Sequence, residues 1–238
     1  MSEIADKTNY FAIRSFRDTA DRDYINARMA FRADLLPQFR WSALHALEKY
    51  AKCLLIFQRV PKSKQGKIQH EVIKSINLLP QNEELNLSRE VTSFLSDLEI
   101  YGARYRYFEV SWCSKGFNEL LLLDRAVNEI RRFCRYDLYS YNSCNELISM
   151  DSNLIRTENA SEIEGGYLEK IYAGQKSYCR DALVWKNSYF SKDEQDYIDC
   201  AYGKYGSNSP LFLFPEIVDE VSKYCHVPKE IVKQCKVG

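Results

Sequence analysis

Two long segments of this chain, 35–57 and 116–138, repeat their apolar residues at intervals of three and four. Residues at this spacing share one face of an α-helix, and other helices must cover such a face. The two segments therefore predict an all-α fold, an antiparallel helical bundle. The repeat falls on Leu44, Leu47, Ala51, Leu54 and Leu55, and then on Leu120, Leu123, Val127, Ile130, Cys134 and Leu138.

Shorter repeats of the same kind predict further helices over 19–36, 67–79 and 88–101, and the second long segment predicts a helix over 117–139. Pro37 suits the first turn of a helix, where its missing N–H would have no partner. Residues 103–115 alternate polar and apolar side chains, which favours a short strand or an extended connection. Gly102 is the expected break before it.

The organisation predicted from these patterns has three parts. Residues 1–18 show no clear period and predict a leader of loop or short helix. Residues 19–139 form the helical bundle. Residues 140–238 begin with an irregular connection and continue as a helical extension packed on the bundle, with one helix opening at the capping-box sequence that starts at Ser191.

The charge balance limits the kind of partner. Lys and Arg together number 33, as do Asp and Glu, so the formal net charge is zero. Proteins that coat nucleic acid usually carry a strong basic excess, which this chain lacks. Any nucleic-acid binding must therefore depend on a local basic patch.

The cysteines and the hydropathy pattern favour a cytoplasmic protein. The eight cysteines form no CxxC pair and no zinc-ligand spacing, which indicates buried reduced thiols. The charged N-terminus has no apolar signal core, and no segment has about 18 uninterrupted apolar residues, so no membrane span is expected.

Familiar catalytic and metal-binding motifs are missing from the sequence. It contains no GxxxxGK[ST], GxGxxG, GxSxG or HExxH. Gly165-Gly166 is too isolated to predict a phosphate cradle. His70 and His226 show no ligand-like spacing to each other or to carboxylates, so neither a metal nor a cofactor is expected.

The runs SALHALEKYAKCLLIF, residues 42–57, and DRAVNEIRRFCRYDL, residues 124–138, resemble two helices of the HEPN superfamily of bacterial and archaeal helical bundles. The resemblance covers roughly residues 19–139. It implies a homodimer formed through the second of these helices, with arginines facing a shared cleft. It also implies, for active members, RNA cleavage without metal by an arginine and a histidine.

The resemblance places the family's arginine at Arg131 or Arg132, but residues 133–139 contain no histidine. Histidine titrates near neutral pH and can transfer a proton, and arginine stabilises charge on phosphorus. Asp137 can accept a proton but does not donate one efficiently near pH 7. His45 is the other candidate, and its alternative role is that of a buried histidine hydrogen-bonded to Glu48.

A cluster of basic residues offers a candidate site for an anionic ligand, formed by Arg104, Arg106, Arg131, Arg132 and Arg135. Aromatic residues interleave with two of these arginines and suit base stacking, namely Tyr101, Tyr105, Tyr107 and Phe108. The alternative for the arginines is salt bridging and complementing a helix dipole. The alternative for the aromatics is core packing.

Three functions remain open from the sequence. The first is a non-catalytic HEPN-like protein of bacterial stress or defence that binds RNA, a nucleotide or a protein partner. The second is a toxin-like, metal-independent ribonuclease that uses Arg131 or Arg132 with an unusual acid–base residue. The third is a purely structural interaction protein whose arginines only form salt bridges.

Overall fold

The computed structural model describes residues 3–65, 70–79, 85–113, 116–141, 144, 146–148, 162–190, 206–224 and 226–237. The chain is predominantly α-helical, which confirms the predicted all-α fold class. The helix predicted to open at Ser191 lies outside the described residues, as does most of the predicted irregular connection.

The bundle is built from seven helices before residue 132 in the described part of the chain. They are α1 (Glu3–Ala12), α2 (Asp18–Arg32), α3 (Leu36–Phe57), α4 (Lys62–Gln65), α5 (Val72–Asn77), α6 (Arg89–Arg106) and α7 (Asn118–Arg131). A π-helical turn, Ile13–Arg17, joins α1 to α2. The predicted leader is therefore helical, and its Ala5, Asn9 and Ala12 are buried.

The central element is α3, which packs against α1, α2, α5, α6 and α7. Its sequence explains this position, because small and apolar residues cover more than one face of the helix. Ala43, Leu44, Ala46 and Leu47 are successive or nearly successive, and all are fully buried. Neighbouring helices therefore cover α3 on several sides.

The sequence predicted that Gly102 breaks the helix, but Gly102 lies inside α6. A methyl group at Gly102 would lie 3.2 Å from Cδ2 of Leu44, so the missing side chain lets α6 approach α3 closely. This packing outweighs the weak helix propensity of glycine. A strand or extended connection was expected over 103–115. Because α6 continues to Arg106, this connection begins only after that residue, and it contains the strand β1 at Trp112–Cys113.

The helix predicted over 117–139 ends earlier, at Arg131. The amides of Phe133 and Cys134 bond to carbonyls three residues earlier, which tightens the last turn. Arg135 then adopts an extended backbone before a 3-10 turn at Tyr136–Leu138. The apolar repeat continues through this break because Cys134 and Leu138 still face the core.

The region after residue 140 contains short elements. They are strands β2 (Ser140–Tyr141), β3 (Leu147–Ile148) and β4 (Gly206–Ser207), and helices α8 (Tyr167–Ala173), α9 (Tyr178–Val184), α10 (Pro210–Leu213), α11 (Val218–Val221) and α12 (Lys229–Val237). Strand β2 pairs antiparallel with β3, and β1 pairs antiparallel with β4. A 3-10 turn, Pro215–Ile217, precedes α11.

The C-terminal extension divides into two parts that pack differently. Helices α8 and α9 pack against α2 and share the main core through Leu168, Ala182 and Leu183. The residues after 206 form a second, smaller apolar cluster with Val110 of the bundle. None of the described helices is long and apolar enough to cross a membrane.

Candidate functional site

Arg131, one of the two arginines that match the family's motif in the resemblance, lies inside the protein between two carboxylates. It is only 2% exposed. Its Nε and Nη2 donate to Asp21 at 2.7 and 3.0 Å, and its Nη1 and Nη2 donate to Glu169 at 2.7 and 2.8 Å. These bonds engage four of the five N–H donors of a guanidinium. Burial opposes the charge, yet Asp21 and Glu169 raise the pKa of Arg131 well above its ordinary value.

The carboxylates around Arg131 come from distant parts of the chain. Asp21 lies on α2 and is fully buried, and it also accepts a 2.6 Å hydrogen bond from the hydroxyl of Tyr50 on α3. Glu169 lies on α8 and accepts a 2.9 Å bond from the backbone N–H of Ile163. The Arg131 cluster, defined as Arg131 with Asp21, Tyr50 and Glu169, therefore joins α2, α3, α7 and α8.

Gly166 makes room for this cluster. A methyl group there would lie 2.0 Å from Oε2 of Glu169 and 3.0 Å from Nη2 of Arg131. The preceding Gly165 has a φ of +67°, a conformation that favours glycine. The glycine pair that offered no phosphate cradle from the sequence thus borders an ion pair of the protein itself.

A second buried ion pair lies next to the first, between Arg28 of α2 and Asp124 of α7. Arg28 is fully buried, and it donates from Nε to the carbonyl of Ala182 at 2.7 Å and from Nη2 to the carbonyl of Trp185. Asp124 also accepts a 2.6 Å bond from the hydroxyl of Tyr24. Arg28 was not a candidate from sequence alone, because its partners lie about 100 or more residues away along the chain.

A third buried pair joins Arg40 of α3 to Glu119 of α7, with two bonds of 2.9 Å. Arg40 also donates to the carbonyl of Cys113 at 2.8 Å. Arg28, Arg40 and Arg131 thus share one arrangement, in which a buried guanidinium connects helices. Such pairs offset a large desolvation cost through multiple hydrogen bonds.

The other candidate arginines have different surroundings. Arg135 is buried and donates to Asp137 at 3.1 and 3.0 Å, so the proposed proton acceptor Asp137 serves as its ion-pair partner. Arg104 lies 3.5 Å from Glu230 of α12. The side chain of Arg106 lies outside what the structure describes.

Arg132 borders a small cavity next to Arg131. Its guanidinium lies 5.1 Å from the ring centre of Phe133, and it lines a cavity of about 10 Å³ together with Asp124, Arg131 and Tyr189. A cavity of this size holds at most about one water molecule. It is therefore too small for a nucleotide.

His45 lies in a separate cluster with Glu48 and with two residues that the sequence did not connect to it, Trp41 and His70. Its ring centre is 4.0 Å from that of Trp41 and 5.9 Å from that of His70. His70 was expected to stand alone, but its Nδ1 lies 3.1 Å from Oε2 of Glu48. One ligand atom from each of His45, Glu48 and His70 lies within 4.8 Å of the others, a grouping that can hold a metal ion.

An apolar pocket of about 590 Å³ opens in the C-terminal part of the described chain. Tyr107 and Phe108, which the sequence offered for base stacking, line this pocket. The remaining lining residues are Glu109, Pro210, Leu211, Ile217, Val221, His226 and Val227. Tyr101 is 37% exposed on α6, and the side chain of Tyr105 lies outside the described part.

Apolar side chains that follow the pocket-lining residues in sequence are also exposed. Leu213 and Phe214 are each 53% exposed, and Phe212 is 36% exposed. Together with the pocket and the exposed Tyr107, they define what we call the C-terminal apolar surface. Exposed apolar area of this kind commonly marks a binding surface.

Comparison of the chain with models of protein families, with curated proteins and with solved structures gives no match.

Proposed function

We propose that this chain is a non-catalytic, HEPN-like binding protein that engages a protein partner through its C-terminal apolar surface. The observation that carries the proposal is the state of Arg131. Its guanidinium is buried and bonded to Asp21 and Glu169, so one of the two arginines that the ribonuclease hypothesis could use, Arg131 or Arg132, already has two anionic partners.

Releasing Arg131 for a phosphate would be costly. Removing one partner from a buried ion pair typically costs about 3–5 kcal/mol, because the other charge is left uncompensated. Here an RNA phosphate would have to displace two carboxylates at once. The geometry therefore favours a structural role for Arg131.

The C-terminal apolar surface favours a protein partner over a nucleic acid. Three basic residues near it are each matched by an acid: Arg104 by Glu230, Lys223 by Glu220 and Lys236 by Asp219. A surface with such balanced charges offers little attraction to a polyanion. An apolar protein segment can instead fill the pocket and cover the exposed aromatic residues.

Site-specific photo-crosslinking tests this binding surface. A photoreactive phenylalanine analogue at Phe214, incorporated in the native host, is expected to give a discrete adduct with one protein. The matched control is the same analogue at Tyr10 of α1, which is 62% exposed. An adduct with a second copy of this chain would identify the partner as itself. An RNA adduct, no adduct, or the same adduct from both positions would contradict the proposal.

A metal-free RNA cleavage assay tests the absence of catalysis. We expect no cleavage of varied single-stranded and structured RNAs by the wild-type protein. Cleavage that the wild type performs and Arg132→Ala abolishes, with the helical circular dichroism unchanged, would support the ribonuclease hypothesis instead. Arg132 suits this test because it is less deeply packed than Arg131.

A cytoplasmic location belongs to the same proposal. Cys53, Cys134 and Cys235 are buried free thiols, and Cys179 is an exposed free thiol. Free thiols of this kind persist in a reducing compartment.

A further inference from the structure

The grouping of His45, Glu48 and His70 is built from two parts of the chain. His45 and Glu48 stand three residues apart on α3, a spacing that puts both side chains on one face of the helix. His70 precedes α5, which packs against α3. His45 and His70 are partly exposed, whereas Glu48 is only 8% exposed, so a small ion can reach the group from the side of the two histidines.

From this geometry we propose that His45, Glu48 and His70 bind one divalent first-row transition cation, with Zn²⁺ the best match. Two imidazoles and one carboxylate are the donor set found in many zinc sites with three protein ligands. Sites in helical bundles are commonly formed from side chains on facing elements, as here. The site is separate from the C-terminal apolar surface, so the two proposals stand or fall independently.

The distances suit such an ion. Zn²⁺ lies about 2.0–2.2 Å from nitrogen and oxygen ligands, so tetrahedral ligand atoms lie about 3.3–3.5 Å apart. The Nδ1 of His70 and Oε2 of Glu48 are 3.1 Å apart, and the largest separation in the group is at most 4.8 Å. Side-chain movements of about 1 Å therefore complete the site.

Neighbouring residues hold the ligands in place. Lys52 donates to Oε1 of Glu48, which leaves Oε2 directed at His70. The ring of Trp41 packs against both histidines, with centre-to-centre distances of 4.0 Å to His45 and 5.4 Å to His70. Outer contacts of this kind orient metal ligands in known sites.

A bound ion would have two consequences. It would connect α3 to the segment that enters α5, and so stabilise the folded state in proportion to its affinity. A tetrahedral ion held by three protein ligands would also keep one position for water or another small ligand.

Isothermal titration of the chelator-treated protein with Zn²⁺ tests the site. We expect one equivalent to bind to the wild type, and at least about tenfold weaker binding to His45→Ala and to His70→Ala. The matched control is His226→Ala, which removes the remaining histidine of the chain and is expected to bind like the wild type. No binding to the wild type, or equal binding to all four proteins, would overturn the proposal.

Spectroscopy separates this site from binding at cysteine. A Co²⁺ complex of two imidazoles and a carboxylate shows visible ligand-field bands without the near-ultraviolet charge-transfer band of a thiolate. We expect this spectrum for the wild type and its loss in the His45 and His70 variants. A thiolate band that persists in those variants would assign the metal to cysteine and overturn the proposal.

Tryptophan emission gives a readout that does not depend on affinity alone. Cu²⁺ quenches a nearby indole, and Trp41 is the tryptophan in contact with both ligand rings. We expect stoichiometric quenching in the wild type and in Trp185→Phe, and its loss in Trp41→Phe. Quenching that survives in Trp41→Phe would place the ion elsewhere.

Discussion

At the scale of single residues, the main finding concerns arginines. Arg28, Arg40 and Arg131 are buried and paired with carboxylates on other elements. From the sequence, Arg131 was a candidate ligand-binding residue because it belongs to a basic run near the end of a helix. Its partners could not be identified, since Asp21 and Glu169 lie 110 residues before it and 38 residues after it.

The acid stability of the protein should depend on Glu169. Burial alone would raise the pKa of Glu169, but the hydrogen bonds and charge of Arg131 lower it below its ordinary value. Because the pKa of Glu169 is lower in the folded state, its ionised carboxylate stabilises the protein at pH values above the unfolded pKa of about 4.3. This contribution to the free energy of unfolding is lost as the pH falls through the pKa of the folded state.

We therefore expect Glu169→Gln to reduce the pH dependence of the free energy of unfolding between about pH 5 and pH 3. Urea unfolding at several pH values measures this pH dependence. The control is Glu216→Gln, whose side chain is exposed in the 3-10 turn Pro215–Ile217. An unchanged acid slope in Glu169→Gln would contradict the role assigned to this pair.

Gly166→Ala should destabilise the protein through Glu169. The added methyl group would displace the carboxylate, whose Oε2 lies 2.0 Å from the position it would take. Loss of a hydrogen bond to a charged group costs about 1.5–3 kcal/mol. Gly166→Ala should therefore cost less unfolding free energy in a Glu169→Ala background than in the wild type. A double-mutant cycle of unfolding free energies measures this difference. Additive effects would show that the glycine serves another purpose.

At the scale of elements, the apolar periodicity predicted the principal helices because burial of one face governs their formation. The continuation of α6 past Gly102 was predicted wrongly, since a close approach to Leu44 is a tertiary effect. The early end of α7 was also missed, because the apolar repeat survives the break. His45 and Glu48 could be placed on one helical face, but His70 could not be brought to them from sequence.

Helix α9 should depend on Arg28 for its attachment to the bundle. Arg28 donates to the carbonyls of Ala182 and Trp185, at the end of this helix. We expect hydrogen exchange in Arg28→Met to become faster over 178–187 than in the wild type. The increase in exchange rate there should exceed the increase within α3 of the same variant by at least about tenfold. Arg40→Met is the matched control, because its partners Glu119 and Cys113 lie elsewhere. Equal loss in both variants would argue against a local attachment.

At the scale of the whole molecule, the first part of the C-terminal extension belongs to the bundle rather than standing beside it. Two ion-pair clusters cross this boundary, one through Glu169 and one through Arg28. The sequence predicted an extension packed on the bundle, but it did not predict that Arg28 and the candidate ligand-binding residue Arg131 would attach the extension there. HEPN membership, homodimer formation and RNA binding stay predictions.

The central claim is that Arg131 holds the fold together and does not bind a ligand. The most direct measurement is the free energy of unfolding of Arg131→Ala and Arg132→Ala, obtained by urea titration under identical conditions. We expect a loss of about 3–5 kcal/mol for Arg131→Ala, since Asp21 and Glu169 would remain buried without a cation. For Arg132→Ala we expect a loss of less than about 1 kcal/mol. Equal stability of Arg131→Ala and the wild type would contradict the account.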